Sequence, residues 1–267
     1  MAPGADRRTF IASAIAAAPA VATAGAFAQD APPAAETPAP HDHYPALDPE
    51  LATRVVGLAH RDLDGVKQLV EKQPELARAT TDWGFGDFET ALGAASHTGR
   101  HAIAELLIAH GARPTLFTHA MMGHLDVVRA SIETDPNLAR VKGPHGITLT
   151  AHARAGRERA TEVAAYLETV DGADEAYDPE PVPDPAALIG GYLPEGGEKG
   201  FVVEAGRQAP ITLRPEGSFS RNLIHLGGNV FHPPGAESAR IAFDASEIPT
   251  VLSVTIGGVT RRYVRQA

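Results

Sequence analysis

The chain has 267 residues, no cysteine, 33 acidic side chains against 23 Lys and Arg, and a formal charge of −10. Without cysteine there can be no disulfide framework, zinc–thiolate site or cysteine nucleophile, and the composition suits an oxidising compartment. The acidic balance argues against nucleic-acid binding through a basic patch. Beyond residue 28 no apolar run is long enough to span a bilayer.

Residues 1–28 read as an export signal. Arg7 and Arg8 precede a mild, alanine-rich stretch over 12–26, and Ala26-Phe27-Ala28 places small residues before a cleavage point between Ala28 and Gln29. This is the build of a bacterial signal peptide, and it looks like the twin-arginine type. Cleavage removes one acid and two bases, so the exported chain is one unit more negative. Residues 29–44 carry Pro32, Pro33, Pro38 and Pro40 among alanines and read as a disordered tether. The His41-Asp42-His43 group at its end is expected to be solvated linker rather than a metal site.

Residues 90–114, TALGAASHTGRHAIAELLIAHGARP, govern the next region. Small residues Ala91, Gly93, Ala94 and Ala95 lead to a turn at Gly99, after which Ile103, Leu106, Leu107 and Ile108 form an apolar face. Apolar positions three and four apart on both sides of one glycine indicate two helices packed back to back. A pair this short cannot bury its own face and needs neighbours. Residues 61–78 and 123–140 share a pattern too: Leu-Asp at the turn, a Val, a Glu, then Pro-x-Leu-Ala-Arg.

The stretch resembles the ankyrin repeat, with Ala91 and Gly93 where that pattern has proline and histidine. The resemblance implies a stack of about four repeats over residues 45–175, with turns at Arg61, Gly99, Gly123 and Gly156. Those turns are unevenly spaced against a repeat period of about 33. The long first gap holds Trp83-Gly84-Phe85-Gly86-Asp87-Phe88, and a later one holds Gly143-Pro144-His145-Gly146. Aromatics on a polar loop supply contact area at small entropic cost. Trp83, Phe85, Asp87, Phe88, Pro144 and His145 are therefore the candidate partner-binding residues. His97 and His101 have a metal-ligand spacing, but Gly99 separates them, and the chain's histidines are expected to bond backbone groups.

Residues 176–185, with four prolines between 179 and 185, read as a stiff linker. Beyond it, alternating runs at 201–204, 211–214, 222–226, 240–243, 252–256 and 260–264 are split by glycine and proline. They indicate a small antiparallel β-sheet or barrel over 186–267. Gly190-Gly191-Tyr192, Leu223-Ile224-His225, Val230-Phe231-His232 and Arg261-Arg262-Tyr263 resemble the lipocalin-like β-domain appended to exported serine-hydrolase-like proteins, which implies an accessory domain. The expected fold is thus α + β and multidomain, an ankyrin-repeat stack followed by a small antiparallel β-domain.

No G-x-S-x-G elbow, S-x-x-K, H-E-x-x-H or P-loop occurs, so no catalytic residue, metal or cofactor is expected. The sequence favours a non-catalytic scaffold, periplasmic or secreted, that binds a protein partner through its loops and concave face. The alternatives are an accessory subunit stabilising a periplasmic enzyme, and a weakly metal-dependent enzyme using His225 and His232 in the β-domain. Changing Arg7 and Arg8 together to Lys should trap precursor in the cytoplasm, because the twin-arginine pathway reads paired guanidinium groups. Cell fractionation checks this, and continued release of protein beginning at Gln29 would indicate general secretion instead.

Overall fold

The computed structural model describes residues 45–216 and 219–266. The export signal with Arg7, Arg8, Ala28 and Gln29, and the tether with His41 and His43, lie outside the described residues. Residues 47–267 form one compact unit.

The helical part contains α1 (Pro49–Ala59), α2 (Leu63–Lys72), α3 (Ala91–His97), α4 (His101–Ala109), α5 (Leu116–Met122), α6 (Leu125–Thr134), α7 (Leu149–Ala155) and α8 (Thr161–Leu167). Their starts are set locally. The side chains of Asp62, Thr90 and Thr148 accept from the backbone N–H of Gly65, Gly93 and Ala151, which satisfies donors that a helix start leaves orphaned. The helices pack in antiparallel pairs, and α1, α3, α5 and α7 lie side by side in a row. Gly99 and Gly123 close two of the pairs with φ of +66° and +82°. A Cβ at these positions would run into the carbonyls of Ala155 and Arg159, so the row can close up only on glycine. Between α2 and α3 stands a hairpin of β1 (Thr80–Asp82) and β2 (Phe88–Thr90).

The regular ankyrin-repeat stack expected from the sequence is not what the chain forms. Among the described residues the helices are short, seven to eleven residues in this part, and the connections between pairs are unlike one another. A 3-10 turn and the hairpin separate α2 from α3. A short coil links α4 to α5, and two 3-10 turns separate α6 from α7. Before α8 the chain makes another 3-10 turn in which Arg157 has φ +53°. The apolar residues divide into two clusters, one around Val55, Val66, Leu92 and Leu107 and one around Val128, Leu149, Val163 and Leu167. The local helix-pair pattern is present in the sequence, but unequal connections prevent a periodic stack.

The β part is also larger than a small appended sheet. After a one-turn helix α9 (Pro185–Leu188) come β3 (Gly190–Leu193), β4 (Phe201–Ala205), β5 (Ile211–Pro215), β6 (Arg221–Asn222), β7 (Ile224–His225), β8 (Val230–His232), β9 (Arg240–Phe243), β10 (Val251–Ile256) and β11 (Val259–Arg265). They form one nine-stranded antiparallel sheet in the order β6-β5-β4-β3-β11-β10-β9-β8-β7. The run expected as one strand over 222–226 breaks at Leu223. Its halves, β6 and β7, become the two opposite edges of the sheet, so a single residue joins them and the barrel is nearly closed. Cross-strand partners Leu252 with Phe243 and Val254 with Ile241 are buried together inside it, as alternation along a strand requires. Residues 176–184 are irregular and are held at two points. The Tyr177 hydroxyl donates to the Glu237 carboxylate, and the His225 ring bonds the carbonyls of Glu180 and Pro181. Among the described residues no helix is long and apolar enough to cross a membrane.

Leu107 is fully buried in the first cluster, whereas Leu106 only flanks it. Leu107→Ala should lower stability by about 2–5 kcal/mol, and Leu106→Ala should cost clearly less. Urea melts check the pair, and equal effects would contradict this placement of α4.

Candidate metal centre

Four side chains from four separate pieces of the helical part converge on one point. His60 caps the C-terminus of α1, where its Nδ1 lies 3.1 and 3.3 Å from the carbonyls of Val56 and Gly57. These carbonyls have no partner further along the helix, so the ring donates to them and presents Nε2 to the centre. Glu89 is the middle residue of β2. Alternation along a strand sends it the opposite way from its neighbour: Glu89 is 0% exposed and Phe88 is 64% exposed. His97 is the last residue of α3, whose start is fixed by the Thr90 cap immediately after β2. His145 lies in the 3-10 turn Pro144–Gly146 with φ +60°, a left-handed conformation that non-glycine residues adopt only when held.

Asp87 is what holds it. One carboxylate oxygen accepts from the His145 backbone N–H at 2.9 Å, and the other accepts from His145 Nδ1 at 2.7 Å. The second oxygen also accepts from Arg221 of β6 at 3.0 Å, while the same guanidinium donates to the Trp83 carbonyl at 3.1 Å. Trp83 Nε1 in turn donates to Glu89 Oε2 at 2.7 Å. The loop between β1 and β2 makes this possible with three consecutive positive φ values at Gly84, Phe85 and Gly86.

One ligand atom from each of His60, Glu89, His97 and His145 lies within 4.8 Å of every other. Glu89 Oε2 is 3.4 Å from both His60 Nε2 and His145 Nε2, and Glu89 Oε1 is 2.9 Å from His97 Nε2. Four ligands about 2.1 Å from a tetrahedral ion stand about 3.4 Å apart. Glu89 Oε1 and His97 Nε2 are buried and close, yet not aligned as a hydrogen bond, and neither has a partner among the described residues. Buried polar atoms are rarely left so; two lone pairs aimed at a shared point are the arrangement a cation satisfies. The two imidazoles that have Nδ1 partners, His60 and His145, are oriented by a carbonyl and a carboxylate, as metal-bound histidines are.

Electrostatics around the centre are strongly skewed. Burial opposes ionisation of Glu89, but the close approach and positive charge of the His145 and His97 rings outweigh it and hold the carboxyl down to about 2. Asp87 is likewise held below its usual value against the effect of burial, by the His145 ring and backbone N–H and by Arg221. Burial would lower His145, yet Asp87 and Glu89 push it up to about 9. His60 is lowered, chiefly by burial. In the metal-free protein two carboxylates are therefore balanced by Arg221 and one proton on His145.

Beside the centre lies a pocket of about 310 Å³. His60 and His145 form part of its wall together with Trp83, Phe219 and Arg221. No family model, no curated protein and no solved structure matches the chain.

Of the residues expected to bind a partner, Trp83, Asp87 and His145 belong to this centre, and Pro144 opens the turn that carries His145. Phe85 leaves it and stacks on Phe201 of the barrel, with ring centroids 6.2 Å apart. Phe88 points to solvent. The HxxxH pair divides as its intervening glycine suggests: His97 joins the centre and His101 bonds the Gly156 carbonyl at 3.0 Å. His225 and His232 stand apart from the four-residue cluster, and each Nδ1 meets different backbone carbonyls. Sequence reasoning missed His60, Glu89 and Arg221. The one local signal was Glu89 itself, an acid on the inward side of a strand directly before a capped, small-residue helix.

Protonation of His145 stabilises the metal-free fold fully below its unfolded value near 6.5, and this contribution is lost as the pH rises through about 9. Asp87 and Glu89, held low, contribute above their unfolded values near 4; Glu89 loses that contribution as the pH falls towards 2, and Asp87 loses its own as the pH falls below its unfolded value. Stability in the presence of a chelator should therefore be greatest near pH 6.5 and fall on both sides, the acid limb beginning there because burial holds His60 and His152 low and opposes their charging in the folded chain. His145→Gln should flatten the alkaline limb, which thermal melts across pH can check.

Proposed function

We propose that the protein is a metalloprotein that holds one divalent first-row transition-metal ion on His60, Glu89, His97 and His145 and acts on a small molecule admitted through the adjoining pocket. The observation that carries this reading is the convergence of four ligand atoms within 4.8 Å, two of them buried and unsatisfied. Three imidazoles and one carboxylate are a donor set for zinc, iron, cobalt, nickel or copper rather than for calcium or magnesium, which take oxygen ligands. Structural zinc sites are enclosed on all sides, whereas catalytic sites keep a position open. Here Glu89 and His97 are 0% and 11% exposed and stand at the back, while His60 and His145 are 27% and 28% exposed and border the pocket. A bound ion would act there as a Lewis acid or activate a water.

A second reading keeps the non-catalytic scaffold: an exported protein that binds, or stabilises as an accessory subunit, a protein partner. One observation favours it. The exposed ring of Phe88 lines the same groove as Pro144 and Phe117, and a projecting aromatic beside a shallow cleft suits a partner contact.

Elemental analysis of the purified full chain should find one transition-metal ion per molecule. Competition with a chromophoric chelator should show Glu89→Gln and His97→Ala lowering affinity at least a hundredfold. Asp87→Asn, which only orients a ligand, should cost about 10–100-fold. A chain that takes up no transition metal under these conditions leaves the scaffold reading in its place, and Phe88→Ala would then be the variant that loses co-purifying protein.

A further inference from the structure

The pocket beside the four-ligand centre has walls of its own that specify a ligand class. We infer that it is the subsite of a small aromatic carboxylate, whose ring packs against Trp83 and Phe219 and whose carboxylate joins the four side chains as a fifth donor to the ion. This inference rests on the metal reading above.

Three features select that ligand. The first is size: about 310 Å³ is at the small end of ligand pockets, which restricts the occupant to a single ring with a short substituent. The second is the apolar corner. Trp83 and Phe219 meet edge to face, with centroids 5.7 Å apart and planes at 71°, and Pro234 continues the surface. A planar ring laid in such a corner stacks on one wall and offers its face to the edge of the other, the two arrangements aromatic pairs prefer. Phe219 is 48% exposed, a large apolar surface left open at the mouth of a pocket rather than packed into a core.

The third feature is charge. Among the described residues no acidic side chain lines the pocket. With three neutral imidazoles and Glu89 on a divalent ion, and Asp87 offset by Arg221, the centre keeps one net positive charge, and bound ions are the dominant local charge in such sites. Arg221, its charge already balanced by Asp87, contributes hydrogen-bond donors rather than further net charge. Its guanidinium carbon lies 5.5 Å above the Phe219 ring, and among the described residues two of its five N–H groups are committed, to Asp87 and Trp83. An anion therefore meets positive charge at the floor of the pocket and aromatic surface at its mouth. A cation would be repelled by the ion.

Benzoate is the probe, titrated by calorimetry into the full chain with zinc bound and with zinc removed, and compared with acetate and cyclohexanecarboxylate. Trp83 is the only tryptophan and touches both the centre and the pocket, so its emission reports zinc and benzoate separately. The expected result is one benzoate per zinc-loaded chain. Binding should be at least tenfold tighter than acetate or cyclohexanecarboxylate, and at least tenfold weaker once zinc is removed. Phe219→Ala should lose tenfold for benzoate with its zinc content unchanged. If zinc binds but benzoate does no better than acetate, the carboxylate subsite is overturned while the metal centre stands. Equal binding with and without zinc overturns the coordination of the carboxylate. If zinc itself fails to bind, the metal reading falls and the subsite with it.

Discussion

The buried carboxylate of Asp87 is the contact on which the rest of the centre depends. It pins both the backbone and the ring of His145 and accepts from Arg221, which belongs to the first edge strand of the barrel. Breaking a buried pair of this kind by deleting one partner typically costs about 3–5 kcal/mol, because the survivor is left charged and unpaired. The same carboxylate thus joins the helical row to the sheet and sets the direction in which an imidazole points. It also compels His145 into a conformation it would not adopt alone. Glu89, two residues further on and inside β2, continues the arrangement inward to His60 and His97.

Much of the local structure was legible in the chain. The turns read at Gly99 and Gly123 fall where only glycine fits, and the alternating runs after residue 200 fall where strands lie. These features depend on a few neighbouring residues, which is the range at which sequence patterns are informative. Periodicity at longer range failed. The matched segments 61–78 and 123–140 do produce similar helix-and-turn units, but the hairpin at 80–90 and the extra turns near 144 and 157 break the period that a regular stack requires.

The centre was hidden for a related reason. Its ligands stand at 60, 89, 97 and 145 and form no motif; their meeting depends on the row of first helices and on the hairpin folding back over it. Trp83, Asp87 and His145 could be singled out as unusual residues on glycine-rich loops, but the same loop chemistry serves a recognition tip and a ligand scaffold equally well. The choice between them lies in Glu89 pointing inward, a property of register that no single residue reveals. His60 had even less to mark it, since a histidine closing a helix by bonding its last carbonyls is common.

The near-closure of the barrel bears on how the pocket could work over time. Leu223 alone separates the two outermost strands, and Phe219 and Arg221, on the chain just before it, form one wall of the pocket. The four ligand-bearing side chains all belong to the other part of the molecule. Because Arg221 of that wall also holds Asp87, and Asp87 sets the ring of His145, a shift along the seam would reach the pocket wall and the centre together.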